Sequence, residues 1–336
     1  MNRPRNNLDA LRLFAAMLVL VGHSYIFMGV PDPIFLAAVP LGPLGVSIFF
    51  VISGYLVSES WDRDPDAVRF LARRALRIVP GLAVCIFLTA FLLGPALTTL
   101  PLSAYFKHPT VWDYLYNIGL YISYSLPGVF EKNRIAHSVN GSLWSLPVEF
   151  LLYLVVVLVG LLRGNRWVYL SLGIASAIAT VVWAWTTEVV VFYRSDVRQV
   201  VIYGTYFLAG AVIYKFNLRR YFSLTNVVLA FVALILMQRT GLPMAIALWT
   251  MLPLIVMAFG LASGPMLTRL TSKGDYSYGI YIYAFPIQQT VAALKPGIHL
   301  VPYIILCTLL TLACAVASWH LVEHQALRFK PRQPVA

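Results

Sequence analysis

The chain has 336 residues, of which 60% are hydrophobic and 11% charged, with a formal net charge of +12; its mean hydropathy is +0.78. Soluble domains carry about 25% charged residues, so this composition excludes a globular fold that faces water on all sides. The positive charge alone would suit nucleic acid or an anionic surface, but in so apolar a chain Lys and Arg serve first to set topology on cytoplasmic loops. No nucleic-acid partner is expected.

Apolar segments near 8–29, 42–59, 79–100, 142–162, 167–186, 199–216, 222–238, 243–262, 276–294 and 302–322 have the roughly 17–25 residues that a bilayer crossing needs. They predict an all-α, polytopic transmembrane helix bundle of about ten spans. It forms one integral-membrane domain over 1–336, with its core at 6–330. Arg3 and Arg5 precede the first apolar run, as in a signal peptide. Arg12 and His23 interrupt that run and no small-x-small cleavage site follows, so it reads as a retained first span.

With the N-terminus inside, most of the 25 Lys and Arg fall on cytoplasmic segments. These include Arg63, Arg69, Arg73, Arg74 and Arg77, then Arg163 and Arg166, Lys215, Arg219 and Arg220, Arg269 and Lys273, and Arg328, Lys330 and Arg332. Lys107, Lys132, Arg134, Arg194, Arg198, Arg239 and Lys295 fall on the other side. The bias places both termini in the cytoplasm. No internal repeat is visible, which argues against an inverted-repeat transporter.

An ionisable group inside a bilayer is costly and is a functional candidate by default. In the first span Arg12 and His23 are spaced so that, at about 100° per residue, both lie on one helix face about 16 Å apart. Snorkelling of Arg12 and a packing role for His23 are the plainer alternatives. The second span, GPLGVSIFFVISGYLVSES, carries Gly42, Gly45, Ser47, Ser53 and Gly54. These small residues suit close helix packing or a narrow lane for an acyl or pantetheine chain. The basic segment after it groups Arg73, Arg74 and Arg77 at helical spacing among Phe70, Leu71, Leu76 and Ile78. It fits an interfacial helix on anionic lipid or a phosphate clamp, since Arg offers a two-pronged fork to phosphate.

The long outer segment, about 101–141, is rich in interface-seeking aromatics such as Trp112, Tyr114, Tyr116, Tyr121 and Tyr124. It has room for a half-inserted helix and is placed to shape an acceptor site. The fourth span opens GSLWSLPVEF and is expected to enter at the outer face near Ser142, which puts Glu149 about 10 Å deep. His23 is expected at the same depth, so a His23–Glu149 pair is expected, the carboxylate orienting the imidazole. A structural hydrogen bond or a proton relay would use the same residues. Asp275, Ser277, Tyr278, Tyr281 and Tyr283 open the ninth span, and His320, Glu323 and His324 close the tenth. A tyrosine belt and a terminal cap are the favoured readings there. Cys85, Cys307 and Cys314 lie in apolar stretches without metal-ligand spacing, so neither a metal nor a disulfide framework is expected.

These motifs together resemble the family-3 membrane acyltransferases, which include O-acetyltransferases of bacterial polysaccharides and nodulation factors. The resemblance rests on Arg12-x10-His23, FFVISGY at 49–55, RRALRIVP at 73–80, SLWSLPVEF at 142–150, SYGIYIYAFP at 277–286 and SWHLVEH at 318–324. It implies acyl transfer, usually acetyl from acetyl-CoA, to a carbohydrate hydroxyl, in a multi-pass protein of the bacterial inner membrane. It also implies His23 as the essential histidine, with Arg12, Glu149, Arg74 and Arg77 as companions. Many members carry His-aromatic-Pro in the ninth span, where this chain has Ala284, Phe285 and Pro286, so no role for that histidine carries over. The esterase-like domain of some members is not present, and the stand-alone form is expected.

The expected roles are therefore His23 and Glu149 as catalytic pair and Arg12, Arg74, Arg77 and Ser53 at the acyl-CoA. Ser142, Trp144 and Ser145 are expected at the acceptor, with Ser142, Ser145 or Ser53 binding the oxyanion. A transporter or flippase of lipid-linked saccharide is the alternative, because the same Arg, His and Glu would serve as a proton path.

Overall fold

The computed structural model describes residues 6–35, 39–183, 189–237, 244–262 and 271–331. Arg3, Arg5, Arg239, Arg269 and Arg332, and parts of the fifth, seventh and eighth predicted spans, lie outside them. Ten helices stand at the predicted spans: α1 Leu8–Met28, α2 Leu41–Arg63, α3 Ala67–Leu88, α4 Ser145–Leu161, α5 Arg166–Trp183, α6 Val197–Lys215, α7 Leu224–Met237, α8 Met244–Leu261, α9 Ser277–Leu294 and α10 Leu300–Ser318. α3 runs on through a π-turn, Thr89–Leu93, to Leu97, and α10 through another, Trp319–Glu323. Sheet among the described residues is limited to two short hairpins, β1 (Ile34–Phe35) with β2 (Val39–Pro40), and β3 (Val191–Phe192) with β4 (Ser195–Asp196).

By length and composition, 7 of the described helical stretches are able to cross a membrane: α1, α2, α5, α6, and α3, α4 and α10 with their extensions. α7 and α8 are shorter. α9 is interrupted by tyrosines and by Gln288 and Gln289. Large apolar side chains such as Ile174 and Ile178 on α5 and Leu309 on α10 point outward and exposed, as lipid-facing positions do.

α2 is the axis of the bundle. It packs on α1 along one side and α6 along the other, while α1 is held between α2 and α9, and α9 backs onto α10. The glycines of α2 make these approaches possible. A methyl group on Gly54 would collide with the carbonyl of Phe207 on α6, and one on Gly45 with the carbonyl of Ala15 on α1. Gly45 and Gly54 therefore seat neighbouring helices rather than open a lane for an acyl chain.

Ion pairs fix the turn between α2 and α3. Asp66 caps α3 by accepting from the Arg69 amide at 2.8 Å. Asp64 accepts from Arg69 at 2.6 Å and Arg73 at 2.5 Å. At the opposite end the chain makes short helical turns over Leu102–Lys107, Pro109–Asp113 and Tyr114–Gly119, then an irregular strap up to residue 140.

Side-chain amides staple this strap to α9. Asn133 Nδ2 donates to Gln289 Oε1 at 2.6 Å, Gln289 Nε2 to the carbonyls of Ile135 and Ser138 at 2.7 and 2.6 Å, and Asn140 Nδ2 to the Ile282 carbonyl at 2.8 Å. α4 and its leading turn, Gly141–Trp144, consequently start beside the middle of α9.

Candidate active site

A cavity of about 1020 Å³ opens among the basic ends of the helices. Arg12 of α1, Ser53 of α2, Arg74 and Arg77 of α3, Glu149 and Tyr153 of α4, and Asp275 line it. Asp275 organises the charge. One of its oxygens accepts from Arg12 at 2.7 Å and also from Arg77, and the other accepts from Ser277 Oγ at 2.5 Å. Burial alone would raise this carboxyl, but the two guanidinium groups hold it well below the usual carboxylate range.

Arg74 is placed differently. Its guanidinium donates to Ser60 Oγ at 3.1 Å and sits over the rings of Phe70 and Tyr153, 5.7 and 5.9 Å from their centroids. No described carboxylate is within ion-pair distance of it. Glu149 accepts from Ser53 Oγ at 2.6 Å. Among the described residues the cavity lining carries more Lys and Arg than Asp and Glu, with Asp9, Glu59 and Asp64 also on its wall.

His23 is in a separate environment. Its ring stands edge-on to Phe285 of α9, 5.3 Å between centroids, and its Nδ1 is buried without a partner. It does not line the large cavity.

No hydrogen bond joins His23 to Glu149 in the structure. The reason is the sunken start of α4. Gly141 packs against the Phe285 ring, at the level of His23, so Glu149 lies about 12 Å further along the helix, among the arginines. Glu149 and His23 therefore do not share the level of the bundle that counting residues along the two helices predicts.

The remaining predicted residues fall between these two places. Ser145 Oγ is 2.5 Å from Tyr281 Oη and lines the cavity. Tyr281 Oη also donates to the Ser142 carbonyl at 2.8 Å. Ser142 Oγ is buried without a partner, and Trp144 packs on Tyr203 at 5.1 Å. Tyr281 and Phe285 are one turn apart on α9, so a single helical turn separates the end of the cavity from His23.

Sequence reasoning underrated three groups. Asp275 looked like part of an interfacial belt. Tyr278, Tyr281 and Tyr283 are buried instead of belted, because α9 packs on both α1 and α10. Gln288 was passed over, although an amide in an apolar span is itself a signal. Its Nε2 donates to the Leu20 carbonyl and Ser24 Oγ, both at 2.8 Å, and its Oε1 is buried without a partner.

Fold and site together define a helical protein with membrane-crossing helices that gathers arginines and carboxylates around one cavity and sets a partly buried imidazole beyond it. Known proteins give the class a name. The acyltransferase domain of family 3 matches residues 5–320. The O-acetyl transferase of Shigella phage Sf6 is 32% identical over 330 residues, covering 96% of both chains. Nodulation protein 10 of Rhizobium leguminosarum bv. viciae is 27% identical over 360 residues, 97% of this chain and 94% of its own. The putative membrane-bound transacylase BcsY of Komagataeibacter xylinus is 29% identical over 190 residues, 54% of this chain and 45% of its own. No solved structure matches the chain. The chain belongs to acyltransferase family 3, and it is an acyltransferase.

Proposed function

We propose that the protein is a membrane-bound O-acyltransferase of the bacterial inner membrane that moves acetyl from acetyl-CoA to a hydroxyl of a cell-surface or lipid-linked carbohydrate. The observation that carries this reading is the excess of positive charge lining the cavity, above all Arg74, which no described carboxylate partners. Buried charge of one sign needs a counter-charge, and the phosphates of CoA supply it. The relatives named as an O-acetyl transferase and a transacylase point to the same chemistry.

The cavity mouth faces the cytoplasm, where CoA is found. Arg12, Arg74 and Arg77 hold the phosphates, with Ser53 and Glu149 behind them, and the pantetheine arm runs toward Ser145 and Tyr281. His23 Nε2 takes the proton of the acceptor hydroxyl as its oxygen attacks the thioester carbon. Ser142 or Ser145 steadies the oxyanion. The C–S bond then breaks and the CoA thiolate recovers the proton from the imidazole.

We infer that Gln288 takes the orienting role expected of Glu149 when acceptor binding brings the two together: its Oε1 and His23 Nδ1 both lie unpartnered on the α1–α9 interface, with no hydrogen bond between them in the structure. An Nδ1–H held there leaves Nε2 free as the base.

The test is His23→Ala in membranes supplied with labelled acetyl-CoA and the native glycan. General-base help is worth about 10²–10⁴-fold, so glycan labelling should fall by at least about 10². Wild-type labelling by a normally expressed variant overturns the assignment. A transporter of lipid-linked saccharide, the other reading of these charges, would label no glycan even as wild type.

A further inference from the structure

At the end of the molecule opposite the arginines lies a smaller cavity of about 340 Å³, lined by Leu115, Tyr116, Gly119, Tyr121 and Tyr193. Two loops far apart in sequence build it. One is the turn Tyr114–Gly119 with the residues that follow, and the other is the β3–β4 hairpin. The corner residues of that hairpin, Tyr193 (φ 50°) and Arg194 (φ 55°), are both left-handed, and so is Leu120 (φ 63°) in the facing loop. Two-residue hairpins of this kind usually carry Asn-Gly, and large side chains adopt the conformation only under strain that the surroundings must hold.

The strained corner places two side chains on one ring. Tyr193 stands edge-on to Tyr121 at 5.2 Å, and the Arg194 guanidinium lies over the Tyr121 face at 4.5 Å. Tyr116 closes the cluster, 6.3 Å from Tyr121. Tyr193 Oη donates to the Gly119 carbonyl at 2.9 Å and pins the loops together. Despite this fixing, Tyr116 is 58% and Tyr193 49% exposed. No described carboxylate is within ion-pair distance of Arg194, because the nearby Asp196 pairs with Arg198 at 2.8 Å. Tyrosines that merely mark a bilayer interface need neither a strained hairpin nor a concave cluster around an arginine.

We propose that this cluster is a saccharide-binding subsite that holds one sugar unit of the acceptor, away from the unit being acylated. The proposal rests on the carbohydrate acceptor of the proposed function. A pyranose offers an apolar C–H face to a tyrosine ring and hydroxyls to tyrosine Oη and to the guanidinium fork. The volume is at the lower end of small-ligand sites, about 300–1,000 Å³, which suits one sugar unit. The subsite is also wired to the reaction centre. Val139 N donates to the Tyr124 carbonyl at 2.7 Å, so the Tyr121 loop is stitched to the strap that ends at Gly141, Phe285 and His23. That path, from the Tyr121 loop through the strap and Phe285 to His23, is roughly 30 Å at most, a distance for a short oligosaccharide and not for a single sugar.

Wild type, Tyr116→Ala, Tyr193→Ala, Tyr193→Phe and Arg194→Ala, each in nanodiscs, should be assayed with labelled acetyl-CoA. The acceptors are the host polysaccharide stripped of its acetyl groups and the single repeat unit cut from it. The alanine variants should raise KM for the long acceptor by about five- to tenfold. Their KM for acetyl-CoA and their rate on the short unit should match wild type. Tyr193→Phe, which keeps the ring but loses the Oη bond to the Gly119 carbonyl, should show a smaller rise in KM for the long acceptor than Tyr193→Ala. Equal loss on both acceptors, or no loss on either, overturns the subsite. If wild type acylates neither acceptor, the proposed function fails, and calorimetric titration of the long polysaccharide decides the subsite alone. Binding by wild type that Tyr193→Ala abolishes supports it, and no binding by wild type overturns it.

Discussion

The two ends of α1 solve the same problem in opposite ways. At one end Arg12 is bound into a network, sharing Asp275 with Arg77. On the same helix face, about three turns on, His23 stands edge-on to the Phe285 ring and carries an unpartnered Nδ1. Gln288 Oε1 and Ser142 Oγ, which flank Phe285 in the chain order of α9 and in the packing of Gly141, are unpartnered too. An unmade buried hydrogen bond costs about 1–3 kcal/mol; the arginine end carries such atoms too, in Arg74 Nε and Asn7 Oδ1, but there ion pairs offset the cost, and around His23 no described ion pair does. Such lapses of satisfaction fall at functional sites, where a substrate completes them.

The contrast can be broken most sharply at Asp275. Asp275→Ala leaves Arg12 and Arg77 together without their counter-charge, and removing one partner of a buried ion pair costs about 3–5 kcal/mol. The unfolding midpoint in detergent should fall markedly, and an unchanged midpoint would show that the triad is solvated. Arg74→Ala should behave in the opposite sense. It breaks no ion pair, so stability should hold, while KM for acetyl-CoA rises about tenfold or more, as for a lost charged hydrogen bond of about 1.5–3 kcal/mol. A KM equal to wild type would remove Arg74 from the donor site.

At the His23 end, Gln288→Leu should lower turnover about tenfold with KM for acetyl-CoA unchanged. Gln288→Glu should restore part of the rate and move the pH profile of turnover to higher pH, because a carboxylate favours the protonated imidazole. A profile that does not move assigns Gln288 to packing. The smallest effect is expected at the rim. Hydrogen bonds from Arg69 and Arg73 hold the Asp64 carboxyl well below the usual carboxylate range. Its contribution is complete above the unfolded value, about pH 4, and is lost as pH falls toward the folded one. Asp64→Asn should lower the midpoint slightly near neutrality, where that contribution is complete, and leave it unchanged at the acid end, so that the acid limb flattens.

The positions of the helices were legible because a bilayer crossing demands about 20 apolar residues in a row, and hydropathy is a local property of the chain. α1 Leu8–Met28 and α6 Val197–Lys215 lie within a few residues of the segments read from the sequence. The common face of Arg12 and His23 was legible for the same reason, since helix geometry alone sets it. The aromatic richness of the outer segment was visible, but its folding against a hairpin some 70 residues away was not.

What the sequence by itself determined is the helical bundle, the gathering of arginines at one end and the set of polar groups that had to find partners. Which partners they found was decided only by tertiary structure. Glu149 was assigned to His23 by counting from an assumed outer surface. The amides of Asn133, Asn140 and Gln289 instead draw the strap down onto α9, joining residues 142 and more positions apart. That sinks the start of α4 and carries Glu149 past His23 to the arginines. Depth in a bundle depends on such long-range hydrogen bonds, and no local pattern of hydropathy contains them.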